Sequence, residues 1–151
     1  MTLPRVMTLQ LEYPGDGLHY LNGEPFTGIL EFPQPGGGLE GEEEYKAGLL
    51  SGRRRIWHAS GQLQEEAECA WGGYHGRVRE WYEDGRLAAD EVYEYGIRTR
   101  GTRWDEQGRV AEEFELSEAD PAYHTLELSR AAFGSGEEPA EPSAAADRGR
   151  S

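Results

Sequence analysis

The stretch RIWHASGQL, residues 55–63, indicates how the chain is built, because its frame recurs as REWYEDGRL at residues 79–87. The interval is 24 residues, and WDEQGRV at 104–110 repeats the phrase again after the loss of one residue. A fixed period of this kind is typical of proteins built from stacked supersecondary units. Glycines keep the same interval in three columns, which are Gly28, Gly52 and Gly76; Gly37, Gly61 and Gly85; and Gly48, Gly72 and Gly96.

Each unit has the pattern of a β-hairpin. Glycine follows Ser60, Asp84 and Gln107 between two stretches of alternating polar and apolar residues, as expected at turns that need positive φ. The entering strands carry Arg-x-Arg-x-Trp at 53–57 and 77–81. The returning strands are predicted at Leu63–Trp71, Leu87–Tyr95 and Val110–Leu116.

Alternation with period 2 in the returning strands predicts one apolar face and one carboxylate face. The predicted apolar side chains are Leu63, Ala67, Cys69, Trp71, Leu87, Ala89, Tyr93, Tyr95, Val110, Phe114 and Leu116. The carboxylates form two rows, which are Glu42, Glu66, Asp90 and Glu113, and then Glu44, Glu68 and Glu115 with Val92 as the break. With two-residue loops, Arg55 faces Glu66, Arg79 faces Asp90 and Arg53 faces Glu68, which are favourable cross-strand pairs.

The segments before and after the repeats are assigned with them to one domain at 1–133. Met7, Leu9, Leu11 and Tyr13 alternate with polar residues and predict a first strand, and Asn22-Gly23 predicts a type I′ turn. The repeats are placed at about 28–48, 49–72, 73–96 and 97–116, the first of them degenerate around PQPGGG at 33–38. A short helix is predicted at 120–133, with Asp120 as its cap, and the remainder, 134–151, is predicted to be a disordered tail.

Composition limits the partners. The net charge is −14, with 29 acidic and 15 basic residues, which opposes nucleic acid and anionic lipid and favours a basic protein. Cys69 is the single cysteine, and the chain opens without a basic segment followed by an apolar one. We therefore expect a cytoplasmic protein, without direct nucleic-acid binding and with a membrane role disfavoured.

Residues suited to catalysis or metal binding are sparse. The four histidines share no metal-ligand spacing with Cys69, and the sequence lacks G-x-S-x-G, the P-loop pattern and His-Glu-x-x-His. EGEEEY at 40–45 places adjacent acids on alternate faces of a strand, so a solvated charge run is the preferred interpretation over a cation site. We expect no enzyme activity, no cofactor and no metal.

The repeat resembles a known family. The phrase W/Y-x-x-x-G-x-L, a returning strand ending in Tyr-Gly or Trp-Gly, and a G-x-x-x-G join are similar to the bacterial variant of the MORN (membrane occupation and recognition nexus) repeat. YLNGEPFTG at 20–28 followed by such units resembles the YwqK family of antitoxins. The resemblance covers about 18–116 and is best in GRVREWYEDGRLAADEVYEYG at 76–96; it departs at Pro33, where other units have tryptophan, and at the deletion between Gly96 and Trp104. It implies a meandering antiparallel sheet and neutralisation of a toxin made from a neighbouring gene.

Two functions are compatible with such an extended surface. The preferred hypothesis is an antitoxin or immunity-type protein that binds a basic toxin; the alternative is a MORN-like scaffold or membrane-recruitment module without a toxin partner. The carboxylate face itself has two interpretations, a solvated ladder of ion pairs or a docking surface that contains tryptophan. The predicted partner-binding residues are Trp57, Trp81, Trp104, Glu66, Glu68, Asp90 and Glu113.

Overall fold

A computed structural model describes residues 2–134, and the predicted all-β repeat fold with a short C-terminal helix is confirmed. The predicted tail falls outside the described residues from position 135 onward. The strands are β1 (Arg5–Met7), β2 (Tyr20–Leu21), β3 (Glu24–Pro25), β4 (Gly28–Pro33), β5 (Leu39–Lys46), β6 (Leu49–Trp57), β7 (Leu63–Ala70), β8 (Gly73–Trp81), β9 (Leu87–Glu94), β10 (Ile97–Trp104) and β11 (Val110–Glu115). The helices are a 3-10 turn at Thr8–Gln10 and α1 at Pro121–Phe133.

Nine strands form one sheet in the order β1-β4-β5-β6-β7-β8-β9-β10-β11. From β4 to β11 the strands follow chain order and neighbours are antiparallel, as expected of hairpins in series. β1 departs from the expected antiparallel array, because it pairs in parallel with β4 and makes the sheet mixed. β2 and β3 form a separate hairpin at Asn22-Gly23, whose φ values of 52° and 83° confirm the type I′ turn.

Two kinds of turn alternate along the sheet. Turns inside the last three units carry Gly61, Gly85 and Gly108 at positive φ, as predicted, but each loop has five residues instead of two. Turns between units have two residues, and in each the residue before the glycine also has positive φ, as in type I′ turns. Trp71 (58°) and Tyr95 (50°) occupy that position. The prediction that they continue the apolar face of the returning strands is therefore wrong.

The predicted cross-strand register is confirmed despite the longer loops. Arg55 stands opposite Glu66, Arg53 opposite Glu68, and Arg79 opposite Asp90. A bulge next to each loop absorbs one residue: Ile56 pairs with Glu65, whereas Trp57 pairs with Leu63.

The bulges also change the face on which the leading aliphatic residues lie. Leu63, Leu87 and Val110 are the Cα partners of the three tryptophans, so they lie on the tryptophan side of the sheet. The prediction that they share a face with the rest of the apolar set is wrong, because one extra residue reverses the alternation. We call the face with Trp57, Trp81 and Trp104 and the row Glu66, Asp90 and Glu113 the Trp face, and the other the opposite face.

The core lies in two clusters. One contains the buried residues Val6, Phe26, Leu30 and Tyr45; the other contains Ala67, Cys69 and Val78, with Leu50 packed against both. The predicted first strand is wrong in length and phase: β1 ends at Met7, Val6 is the buried residue, and Leu9 is 97% exposed. Parallel pairing with β4 extends over only three positions, and a 3-10 turn follows.

The predicted helix is confirmed as α1. Asp120 accepts a hydrogen bond from the Ala122 N–H and Pro121 starts the helix, so the first turn is capped as the sequence indicates. Leu126 is buried, and the Phe133 ring lies 5.3 Å from Trp71 and 5.9 Å from Tyr95. The C-terminal end of α1 therefore packs against Trp71 and Tyr95, the aromatic residues of two turns between units.

Candidate functional site

The three predicted tryptophans stand at equivalent points on the Trp face. Trp57, Trp81 and Trp104 end β6, β8 and β10, and all three are half-buried. The residue after a tryptophan hydrogen-bonds to the backbone of the tryptophan in the next unit. His58 Nε2 lies 2.8 Å from the Trp81 carbonyl oxygen, and the Tyr82 hydroxyl donates to the Trp104 carbonyl oxygen at 2.7 Å. The spacing of the tryptophans is therefore fixed by hydrogen bonds between successive units.

The predicted carboxylates Glu66, Asp90 and Glu113 share one row of the Trp face. In register, Glu66 is opposite Arg79, Arg79 opposite Asp90, Asp90 opposite Thr102, and Thr102 opposite Glu113. The row therefore crosses five adjacent strands, and it brings together carboxylates that are far apart in the chain.

In the part of the chain that the structure describes, arginines pair with the first two carboxylates of this row but not with the last, Glu113. Glu66 accepts a hydrogen bond from Arg55 at 3.0 Å, and Asp90 accepts two from Arg77 at 3.0 and 3.1 Å. Arg79, the residue directly opposite Asp90, is farther away at 3.8 Å, and its buried Nε has no hydrogen-bond partner within the described residues. Glu113 is exposed and makes no ion pair with any residue between 2 and 134.

Glu68 has a structural role that the repeat pattern does not predict. Ala67 pairs with Val78 and Cys69 with Tyr74, so β8 has extra residues opposite Glu68. The Glu68 side chain covers Gly76, where an added Cβ would lie 2.9 Å from the Glu68 Cβ, and its carboxylate accepts the N–H of residue 77 at 3.0 Å. The carboxylate thus stabilises the bulge, which makes it the least available of the four predicted acids.

The second carboxylate row, which contains Glu44, Glu68 and Glu115, is interrupted at Val92. The next strand, β10, also changes at this point. Arg98 pairs with Tyr93 and Arg100 with Val92, so only Thr99 is extra. The Thr99 hydroxyl donates to the Val92 carbonyl oxygen at 3.0 Å. The deletion in the fourth repeat and the loss of a carboxylate at position 92 are therefore parts of one structural change.

The opposite face carries ion pairs, so the prediction that its side chains are only apolar is wrong. Arg54 donates to Glu43 at 2.8 Å and to Glu65 at 2.5 Å. The Tyr74 hydroxyl donates to Glu65 at 2.6 Å, and that of Tyr45 donates to Glu43 at 3.0 Å. Burial and the hydrogen bond to Glu65 raise the pKa of Tyr74, so the phenol remains a donor.

A second network surrounds Glu91, a fully buried carboxylate. Arg98 donates to it at 2.6 Å, and Arg103 donates through two nitrogens at 2.8 and 2.9 Å. Gly101 provides the space, because an added Cβ there would lie 2.5 Å from the Glu91 Cγ. Glu80 lies 3.8 Å from Arg103, and burial raises the pKa of its carboxyl group.

One sequence signal could have revealed these networks. Adjacent residues on a strand point to opposite faces, so a pair of neighbouring acids supplies a carboxylate to each. Such pairs recur in every unit, at Glu42-Glu43, Glu65-Glu66, Asp90-Glu91 and Glu112-Glu113.

An open acidic groove of about 570 Å³ runs along the five-residue loops. Asp84 pairs with Arg86 at 3.6 Å, whereas Glu83 and Glu106 make no ion pair with the described part of the chain. The lining residues are His58, Tyr82, Glu83, Asp84, Glu106 and Gln107. This groove adjoins the tryptophan end of the strands and extends the negative charge of the Trp face.

Two groups with ordinary catalytic chemistry, Cys69 and His75, are engaged in packing. Cys69 is buried, and burial raises the pKa of its thiol to about 12. His75 Nδ1 accepts the Tyr95 N–H at 2.9 Å, and burial lowers the pKa of the imidazole. Among residues 2–134, no group of three or more His, Cys, Asp or Glu side chains is placed to hold a metal ion. Nor does that part of the chain contain a helix with the length and apolar character needed to cross a bilayer.

Comparison with known proteins gives no match to a family model, to a curated protein or to a solved structure.

Proposed function

We propose that this chain is a binding protein of the antitoxin or immunity type, which neutralises a basic protein toxin by docking its Trp face on it. The observation that carries the proposal is the alignment of Glu66, Asp90 and Glu113 in one row beside a row of half-buried tryptophans. The resemblance of the repeats to MORN-variant and YwqK antitoxins supports a toxin as the class of partner.

The geometry suits recognition more than chemistry. Tryptophan and arginine are the residues that most often dominate binding energy at protein interfaces, and both lie on this face in fixed positions. The strands hold the tryptophans at a regular interval through the carbonyl hydrogen bonds of His58 and Tyr82, so little ordering remains when a partner binds. We therefore propose a binding protein without enzyme activity or cofactor.

Charge favours a basic protein over the alternative partners. The net charge of −14 repels phosphate backbones and anionic lipid, and lipid recruitment depends on lysine and arginine clusters. Glu113, Glu83 and Glu106 make no ion pair with the described residues, so cations from a partner find acceptors there without competition. We propose a cytoplasmic protein whose partner is encoded nearby, in preference to a membrane-recruitment module.

The test is co-expression with a toxin-like protein encoded by the adjacent gene. Replacement of Glu66, Asp90 and Glu113 by arginine should abolish protection and slow association about tenfold or more, because the charges steer the encounter. The matched control replaces Glu24, Glu118 and Glu127, three exposed acids elsewhere, by arginine. A folded triple variant that protects cells and associates at the original rate would contradict docking through the Trp face.

A further inference from the structure

The last strand of the sheet has an open edge. β11 is hydrogen-bonded to β10 on one side and to no other strand of residues 2–134 on the other. Residues 110–113 and Glu115 are all exposed, in contrast to the equivalent parts of β7 and β9, each of which contains buried residues. β1 ends the sheet at the other side but is only three residues long. β11 is therefore the more extended of the two edges.

The backbone of β11 presents hydrogen-bonding groups to this edge. The Leu116 N–H donates to the Thr99 carbonyl oxygen at 2.8 Å, so the backbone groups of Leu116 face β10. Since inward and outward groups alternate along an antiparallel strand, the N–H and C=O of Glu113 and Glu115 face away from β10. An edge of this kind can accept a further strand.

The repeat indicates what that strand should contain. β7 lies between β6 and β8, and β9 lies between β8 and β10; each of these flanking strands carries at least two arginines. Glu66 thus has Arg55 opposite it on one side and Arg79 on the other. β11 is the next acidic strand of the series and has an arginine strand on one side only. Glu113 and Glu115 make no ion pair within the described residues.

We propose that the open edge of β11 binds a basic β-strand of the partner protein, with arginine or lysine at alternating positions. One cation would stand opposite Glu113, as Arg79 stands opposite Glu66, and the next would lie beside Glu115. The strand would hydrogen-bond to the outward groups of Glu113 and Glu115 and continue the sheet. The inference rests on the proposed function only in taking the partner to be a basic protein.

A second copy of this chain is the less favourable occupant. Two antiparallel VAEEFE edges, residues 110–115, would place acidic side chains opposite or diagonal to one another. Like charges in such positions destabilise strand pairing.

The test uses a peptide with the sequence of the protein's own arginine strand. This peptide, GYHGRVREWY from residues 73–82, is added to the full chain, and binding is followed by calorimetry and by the NMR signals of the Glu113 and Glu115 amides. We expect these amides to shift and to exchange more slowly with solvent. A control peptide with glutamate in place of both arginines should bind about tenfold or more weakly.

Variants of the protein complete the test. Replacing Glu113 and Glu115 by arginine should weaken binding of the basic peptide about tenfold or more, whereas the same change at Glu24 and Glu118 should alter it less than about threefold. Equal binding of both peptides, or shifts confined to residues outside β11, would overturn the proposal, as would a dimer joined through β11. Because the peptide assay involves no toxin, its outcome is independent of whether the Trp face neutralises one.

Discussion

Arg103 binds the carboxylate of Glu91 through two nitrogens, at 2.8 and 2.9 Å, and Glu91 has no exposed surface. The acid lies on β9 and the arginine on β10, so the contact ties together the third and fourth repeats. Arg98 supplies a third hydrogen bond to the same group. A buried carboxylate with three charged hydrogen bonds holds its neighbours in one arrangement. Among the described carboxylates, its removal leaves Arg103 with only the more distant Glu80 at 3.8 Å and Arg98 with only Glu112.

Glu91→Ala should lower the free energy of unfolding by about 2–4 kcal/mol, because three charged hydrogen bonds are lost in a buried site while Arg98 and Arg103 keep only their pairs with Glu112 and Glu80 among the described residues. The arginines are partly exposed, which places the effect in the lower part of the range for such pairs. Glu112→Ala is the matched control, since Glu112 also binds Arg98 but its side chain is 44% exposed; it should cost less than about 1 kcal/mol. Denaturant unfolding measures both, and equal losses would contradict a special role for Glu91.

Gly76→Ala should be more destabilising than Gly96→Ala. Both glycines have positive φ, 130° and 80°, so alanine is strained at either site by about 1 kcal/mol. At Gly76 the added Cβ would also collide with the Glu68 side chain, whereas nothing lies within 4 Å at Gly96. We expect an additional loss of about 1–3 kcal/mol at Gly76 in thermal or denaturant unfolding. Similar stabilities for the two variants would show that the bulge opens easily.

Ala47→Asn should stabilise the protein by up to about 1 kcal/mol. Ala47 has φ 50° in a turn of the type that Asn22-Gly23 forms at the first hairpin, and asparagine tolerates this conformation better than alanine. Ala59→Asn is the control, because Ala59 is also exposed in a turn but is not among the residues with positive φ. A higher melting temperature for the first variant and no gain for the second is the expected result; the reverse order would contradict the turn assignment.

Docking of α1 should weaken in acid. Hydrogen bonds from Arg130 lower the pKa of Glu94, so this carboxylate contributes stability above its ordinary pKa and loses that contribution as pH falls through the lowered value. The protection factors of the α1 amides, which correct for the slower intrinsic exchange in acid, should therefore fall below about pH 4. In Arg130→Gln the helix should exchange faster at neutral pH and respond less to acid. An unchanged pH response in that variant would assign the effect to other carboxylates.

Much of the central sheet could be predicted, because one period fixes both hairpins and register. The pairs Arg55 with Glu66 and Arg79 with Asp90 follow from counting residues outward from a glycine turn. The position of Trp71 could not be found in this way, because its alternation with Cys69 continues the strand pattern while its backbone turns at φ 58°. Local pattern does not report φ for a residue other than glycine.

The places of the candidate residues on the sheet could be predicted, but their ion pairs could not, and their role in binding a partner stays a prediction. Asp90 was placed opposite Arg79, yet its hydrogen bonds come from Arg77, because long side chains reach diagonal neighbours across a sheet. Glu91 was missed because a buried acid in a half-apolar strand depends on Gly101 and Arg103, which lie on the next strand. The sequence of β9 alone does not show that a neighbouring strand supplies the space and the charge for its buried carboxylate.

The carbonyl contacts from His58 to Trp81 and from Tyr82 to Trp104 join each unit only to the unit that follows. Unit boundaries coincide with strand starts at Leu49, Gly73 and Ile97. An in-frame duplication of residues 73–96 would therefore add two strands and keep the existing junctions, and the new junction would need its own equivalents of Gly101 and Arg103 beside Glu91. Gain or loss of whole units would lengthen or shorten the sheet surface. The length of that surface can therefore evolve separately from the residues of the terminal strands.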